Sequence, residues 1–438
     1  MKIAFLNSKS AWAIALGLCL VGTSSAQHPV APSLNSNLGA KYTIYLNFSG
    51  FNYNGTWAGG TPGNVPAYTQ DGDATTFNSA EISAIKEAWA RTAQKYVGFN
   101  INVTTVDPAG TGMTDAQRQT YYDNTQYMTH TIIGGTYDWF GASGGVSYVG
   151  VAQQAVVTNG QRTNWVFPVN GTGTSPQYMT AAIAHEDGHH LSLWHQTDEN
   201  NGAGYSNNNG ATGNGSYAPI MGTSYVSQRG TWRQGKVGVN DNDVAVLQTN
   251  ADIGSLLDDN IGHSIPNATA LAVNSDGTIN SALAKGFIMP KASTGYSAVG
   301  ENSYTKDYFS FFSSGSAISM TATDGSSFLQ DGVADAGATM RSVLRILDIN
   351  GTVLGTSTED ATTMLHTWSG TLATGQYFAQ VVSYGDYISN YEPDSRYFNM
   401  GAYFLSGRGF SSVPEPTTVV AMLSGIGFFL VRRKRKSN

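Results

Sequence analysis

The stretch His185-Glu186-Asp187-Gly188-His189-His190-Leu191-Ser192-Leu193-Trp194-His195 restricts this chain more than any other. Histidines four residues apart on a helix stand one turn apart on the same face. Both imidazoles then reach a single ion at the roughly 2.0–2.1 Å of a zinc–nitrogen bond. Ser175-Pro176 opens this helix, which runs through Met179, Ile183 and His189. Glu186, next to the first histidine, faces the side of the metal where a water would stand. A water activated by zinc has its pKa brought toward about 7. A carboxylate beside it takes the proton as the water attacks a carbonyl, then hands it to the leaving amine. His195 lies far enough beyond His189 for the helix to stop, turn and return a third imidazole. Three neutral histidines leave zinc its charge and an open fourth position, which suits catalysis rather than a closed structural site.

The pattern His185-Glu186-x-x-His189-x-x-x-x-x-His195, with Ala218-Pro219-Ile220-Met221-Gly222 downstream, resembles the metzincin family of metallopeptidases. The resemblance implies His185, His189 and His195 as ligands of one catalytic zinc ion and Glu186 as general base. Met221 would form an apolar floor under the imidazoles, packing rather than binding metal. The implied fold is an α+β or α/β catalytic domain, a mixed sheet carrying the active-site helix, and the implied activity is zinc endopeptidase action on protein or peptide substrates. Three positions depart from the pattern. Ser192 stands where the family has a glycine that ends the helix, and a positive φ there costs serine roughly 1 kcal/mol. Gln196 follows the third histidine where some branches carry an acid. Thr223 stands where some branches place a tyrosine, which leaves Tyr225 as the nearby candidate for transition-state stabilisation. The branch stays open. The competing reading is a non-catalytic envelope or matrix surface protein that keeps the peptidase fold as a scaffold. The intact ligands and Glu186 stand against it.

Other residues have plainer expectations. His190 points off the ligand face and is expected to be a partly exposed helix residue, and His130 a structural residue beside a strand. Glu199 is a distal acidic ligand only in a different class of zinc peptidase. Trp194 and Trp232 are expected as core or cleft walls. Calcium is a possible ligand of Asp258, Asp259, Asp331 and Asp335, although turn carboxylates more often bond turn amides.

Both chain ends read as processing signals. Lys2 and Lys9 precede an apolar run at 11–21 and small residues at 23–26, the layout of a secretory signal peptide. The only cysteine, Cys19, falls inside it, so the exported chain has no disulfide, thiol nucleophile or cysteine zinc site. At the other end Val413-Pro414-Glu415-Pro416, an apolar stretch 417–431 and a basic cluster 432–436 resemble the PEP-CTERM sorting signal of Gram-negative bacteria. That resemblance implies an exosortase-type sorting enzyme as partner and membrane contact through the C-terminal helix before processing. The expected location is the cell envelope, the extracellular matrix or the medium. A net charge of −7 offers no basic patch, which argues against a nucleic-acid partner.

With 438 residues the chain exceeds one ordinary domain. Strands are expected at 42–48, 100–106, 129–133, 145–151 and 164–169, and a helix from an N-cap at Ser79 through Tyr96. Stretches 50–73 and 198–216 read as loop, and 241–256 as a last helix. Beyond Asp259 short strands alternate with turns, at 308–312, 318–323, 342–349, 363–368 and 377–382, which predicts an all-β sandwich. Asp307-Tyr308-Phe309-Ser310-Phe311, the turn at Asn350-Gly351 and the strand Gly375-Gln376-Tyr377-Phe378-Ala379-Gln380-Val381 resemble the pre-peptidase C-terminal family of accessory modules. The expected division is signal peptide 1–26, linker or short pro-segment 27–40, catalytic domain 41–262, β-sandwich 263–411 and sorting segment 412–438.

Overall fold

The computed structural model describes residues 28–171, 173–196, 217–225, 227, 229–233, 242–250, 253, 257–289, 306–325, 337–360, 365–383 and 399–411. The expected signal peptide, the sorting segment, and Asp198, Glu199, Asp331 and Asp335 lie outside the described residues. No helix among the described residues is long and apolar enough to cross a membrane.

The first half runs β1 (Tyr42–Asn47), a short pair β2 (Phe51–Asn52) and β3 (Asn64–Val65), α1 (Ser79–Tyr96), β4 (Ile101–Thr104), α2 (Asp115–Asn124), β5 (Met128–Ile133), β6 (Gly145–Val146), β7 (Thr163–Val166), α3 (Pro176–His190), a second short pair β8 (Tyr217–Pro219) and β9 (Arg229–Thr231), and α4 (Asp243–Thr249). One sheet has the order β4-β1-β5-β7-β6. Its first four strands are parallel, and β6 closes the edge antiparallel to β7. Parallel strands need covering on both faces, and alternation along each strand supplies both. Tyr42, Ile44 and Leu46 face the main core with Ala88 and Ala93 of α1 and Met179 and Ile183 of α3. Tyr45 turns the other way into an aromatic cluster with Tyr122 of α2, Phe51, Trp57 and Trp165.

Several boundaries differ from the sequence reading. Asn78, not Ser79, caps α1: its side chain accepts from the amides of Ala80 and Glu81 while Glu81 returns a bond to the Asn78 amide. This reciprocal arrangement is worth about 1 kcal/mol, and Ser79 becomes the first helical residue. The strands expected at 145–151 and 164–169 shorten to β6 and β7, and the described part of the helix expected at 241–256 is α4, with Asn250 as its C-cap. Helix α2 has few apolar residues and went unread. It begins with a Thr114/Gln117 capping box and buries Tyr122. Residues 28–36 line the β4 edge: Asn35 bridges Thr104, Ser36 N–H donates to Val103 O at 3.1 Å, and His28 Nε2 pairs with Asp115 at 3.0 Å. The covered edge is thus the one farthest from β6.

The second half adds β10 (Thr269–Ala270), β11 (Lys285–Ile288), β12 (Lys306–Ser313), β13 (Ala317–Asp324), β14 (Ser342–Leu347), β15 (Val353–Thr356), β16 (Thr358–Asp360), β17 (Leu365–Thr371), β18 (Gly375–Ser383) and β19 (Gly401–Arg408). They form two five-stranded sheets, β10-β12-β18-β14-β15 and β11-β19-β13-β17-β16. One apolar core lies between them, with Phe309, Phe311, Leu344 and Val381 from the first sheet and Met320, Tyr403 and Leu405 from the second. This is the β-rich unit that alternation predicts. In β12 the burial strictly alternates, with Asp307, Phe309, Phe311 and Ser313 inward.

Candidate metal centre

Helix α3 is buried continuously from Met179 to His190, so its position is set by its neighbours. The Tyr96 hydroxyl donates to Ala184 O at 3.1 Å from the α1 side. On the sheet side the contacts are polar. Asp187 Oδ1 accepts from Thr131 Oγ1 at 2.6 Å and from Asn164 Nδ2 at 3.0 Å. His190 Nδ1 meets Thr129 Oγ1 at 2.9 Å, and that hydroxyl meets Tyr42 OH at 2.6 Å. His190 is therefore not the partly exposed residue expected from its helix position: it is fully buried because the face opposite the ligands docks on β5. His130 takes a structural place in the other face of the sheet, bonded to Asn47 and Thr163. Directional bonds fix the rotation of α3 more tightly than apolar packing alone.

At the C-terminal end of α3 three imidazoles converge. His195 Nε2 lies 3.1 Å from His189 Nε2 and 3.1 Å from His185 Nε2. His185 Nδ1 is 2.8 Å from Ile220 O, and His189 Nδ1 is 2.8 Å from Leu193 O. A carbonyl only accepts, so both Nδ1 atoms carry the proton and both Nε2 atoms present bare lone pairs. Burial lowers the pKa of all three rings: His185 well below the usual range, His189 downward, and His195 to about 4, with His189 as a lesser cause. All three are therefore neutral near pH 7. His195 can donate to only one neighbour, so at least one 3.1 Å contact sets lone pair against lone pair. A cation between the rings relieves that repulsion. Tetrahedral nitrogens at zinc distances stand about 3.3 Å apart, close to the spacing here, so the donor set fits zinc. These three residues form a group that can hold a metal ion, each offering one ligand atom within 4.8 Å of the others.

The turn that returns His195 begins at Ser192, whose φ of 76° lies in the left-handed region. Serine thus adopts the conformation that a glycine would take at lower cost. Leu193 N–H donates to Gly188 O and closes the helix end. Met221 is fully buried, and its sulfur passes so close to Gly188 that an added Cβ would stand 2.6 Å away. Gly222 N–H to Pro219 O at 2.9 Å makes the tight turn that holds it there. Trp232 is a core residue, its indole N–H donating to Lys95 O at 2.6 Å. Of the two places expected for Trp194, core or cleft wall, its 63% exposure excludes the core, because the turn that aims His195 inward aims its neighbour outward. Tyr225 is partly buried and packs against the main core.

Glu186 is 5% exposed, and among the described residues its carboxylate accepts no hydrogen bond. Burial, with Asp187 as a second cause, pushes its pKa well above the usual carboxylate range. It rests against the edge strand: a Cβ on Gly145 would meet Glu186 Cγ at 2.7 Å and Oε1 at 2.8 Å. Sequence reasoning missed Gly145, although a glycine inside a strand signals a close approach. It also missed the carbonyls of Ile220 and Leu193 and the anchoring of Asp187, none of which leaves a local signal.

No family model matches the chain, and no curated protein matches it. Among solved structures it is similar to the pre-peptidase C-terminal domain of a collagenase from Bacillus anthracis, at 13% identity and a TM-score of 0.19. That similarity covers 32% of this chain and 93% of the other.

Proposed function

We propose that the protein is an exported zinc endopeptidase of metzincin type, with His185, His189 and His195 holding the metal and Glu186 acting as general base. One observation carries this reading: three Nε2 atoms converge, two of them bared by backbone carbonyls, beside a buried carboxylate that accepts no hydrogen bond among the described residues. Zinc bound there would supply Lewis acidity toward a peptide carbonyl and its attacking water. The chain's own groups do the rest. Ile220 O and Leu193 O keep His185 and His189 in one tautomer. The Glu186 carboxylate, raised in basicity by burial, accepts the proton of the attacking water and returns it to the leaving amine. Met221 against Gly188 gives the imidazoles an apolar floor. Tyr225 remains the candidate for stabilising charge on the carbonyl oxygen. The two terminal signals support export and envelope sorting by an exosortase-type enzyme.

The test compares wild type with Glu186→Gln for zinc content and for cleavage of a mixture of unfolded proteins. The expected result is one zinc in each protein and proteolysis only in wild type. Zinc binding without proteolysis in either protein overturns the enzymatic reading and leaves the scaffold alternative. Activity that survives the substitution removes Glu186 from its role.

A further inference from the structure

Beyond the three imidazoles, a buried polar clamp joins the turn carrying His195 to helix α4. Gln196 and Asp243 are 0% and 1% exposed. Gln196 N–H donates to Met221 O at 2.8 Å, and its side-chain Nε2 donates to Asp243 Oδ1 at 2.9 Å. Asp243 Oδ2 accepts from the Arg233 amide at 2.9 Å, and the Asp243 amide donates back to Arg233 O at 3.0 Å. At the opposite end of α4, its C-cap Asn250 donates through Nδ2 to Leu191 O at 3.1 Å, which ties α4 to the C-cap of α3. Thus the residue next to the third histidine, the Met221 turn and α4 share one network, while His185 reads the same turn through Ile220 O.

We infer that Asp243, acting through Gln196, is the positioning residue that holds His195 in register with His185 and His189. This rests on the zinc-site reading above. His195 is the one imidazole of the three that does not come from a helix. It sits on a turn that begins with a left-handed serine, so its place must be fixed by tertiary contacts rather than by helical geometry. A hydrogen bond to a carboxylate is stronger than one between neutral groups, and the bond from Gln196 to Asp243 is such a contact. Outer partners that orient a ligand typically change metal affinity by about 10–100-fold when removed.

The experiment measures zinc affinity by chelator competition and the visible absorption of the cobalt-substituted protein. It uses the full chain, for wild type, Gln196→Met, Asp243→Asn and the double variant. Both single changes keep side-chain volume, and melting of the zinc-free proteins checks that they fold. The clamp predicts zinc affinity lower by about 10–100-fold in each single variant. The double variant should be no weaker than the worse single one, since Gln196→Met removes the donor of the bond that Asp243→Asn weakens. The cobalt bands should shift in all three. Folded single variants with wild-type zinc affinity and an unshifted cobalt spectrum overturn the clamp while leaving the zinc site standing. So do fully additive losses. A wild-type chain that fails to take up zinc overturns the site reading itself, and this inference with it.

Discussion

Replacing Gly145 by alanine separates the role of Glu186 from that of the histidines. Gly145 has no left-handed φ, so the cost of a side chain is steric alone. An added Cβ meets Trp165 O at 2.6 Å, Glu186 Cγ at 2.7 Å and Glu186 Oε1 at 2.8 Å, where ordinary contact begins at 3.4 Å. Something must shift by about 0.6–0.8 Å to restore contact. The Trp165 carbonyl belongs to β7 of the central sheet and gives little, whereas no hydrogen bond among the described residues holds the Glu186 side chain. The displacement therefore falls largely on the proposed base. Misplacing a reacting group by 1 Å costs on the order of 100-fold, so a shift of this size should lower kcat about 15- to 40-fold on the proposed mechanism, with KM little changed. Overpacking should lower stability by about 1–3 kcal/mol, and zinc should stay at one equivalent because no imidazole is touched. Steady-state kinetics on a quenched peptide, with zinc analysis of the same samples, reads both quantities. A kcat within about threefold of wild type refutes the steric argument, and loss of zinc alongside activity shows that the disturbance reaches the ligands instead.

Ser192→Gly removes a left-handed serine. It should stabilise the protein by somewhat less than about 1 kcal/mol, because the unfolded chain gains freedom too; a lower urea midpoint would contradict this. In the sandwich, His366 Nε2 lies 2.9 Å from Asp324 Oδ2, with side-chain exposures of 1% and 0%. Asp324 also accepts from the amide and hydroxyl of Ser342. His366→Ala removes one of these three hydrogen bonds to Asp324 and should cost about 1–3 kcal/mol, while His366→Ala combined with Asp324→Ala should cost less than the sum of the two. Additive losses in chemical denaturation would rule out the coupling. His263 is raised to about 9, chiefly by its bond to the buried Asp307 carboxylate. A raised histidine contributes stability that is complete below its ordinary pKa of about 6.5 and disappears as pH climbs through 9. The melting temperature of the sandwich should therefore fall between pH 7 and 10 (roughly), and His263→Gln should flatten that slope; an unchanged slope refutes the assignment.

Much of this molecule is written in short-range pattern. The four-residue spacing of His185 and His189 needs only helical geometry, and α3 places them as that geometry requires. The period-two alternation at 42–48 and 308–312 gives β1 and β12 for the same reason, since one residue in two must leave the water. Ser192 also carried its message locally: a helix that must reverse within a few residues needs a left-handed backbone, whatever side chain stands there. The apolar-poor α2 and the late strand β19 carry weaker patterns and were not legible.

What the tertiary structure alone decided is every contact between residues far apart in the chain. His190 looked like a surface residue because a helix position reveals its angle but not what docks on it; Thr129 and Tyr42, on two other strands, bury it. For Trp194 the sequence leaves core and cleft wall open, since size suggests burial in either, and its outward-facing turn excludes the core. The Ile220 carbonyl that bares Nε2 on His185, the glycine that seats Glu186, and the α4 carboxylate that reaches Gln196 depend on how strands and helices pack. Sequence named the groups that can meet a metal, because ligand chemistry resides in side-chain types and local spacing. Their protonation, burial and alignment arise from long-range packing, which no local pattern encodes.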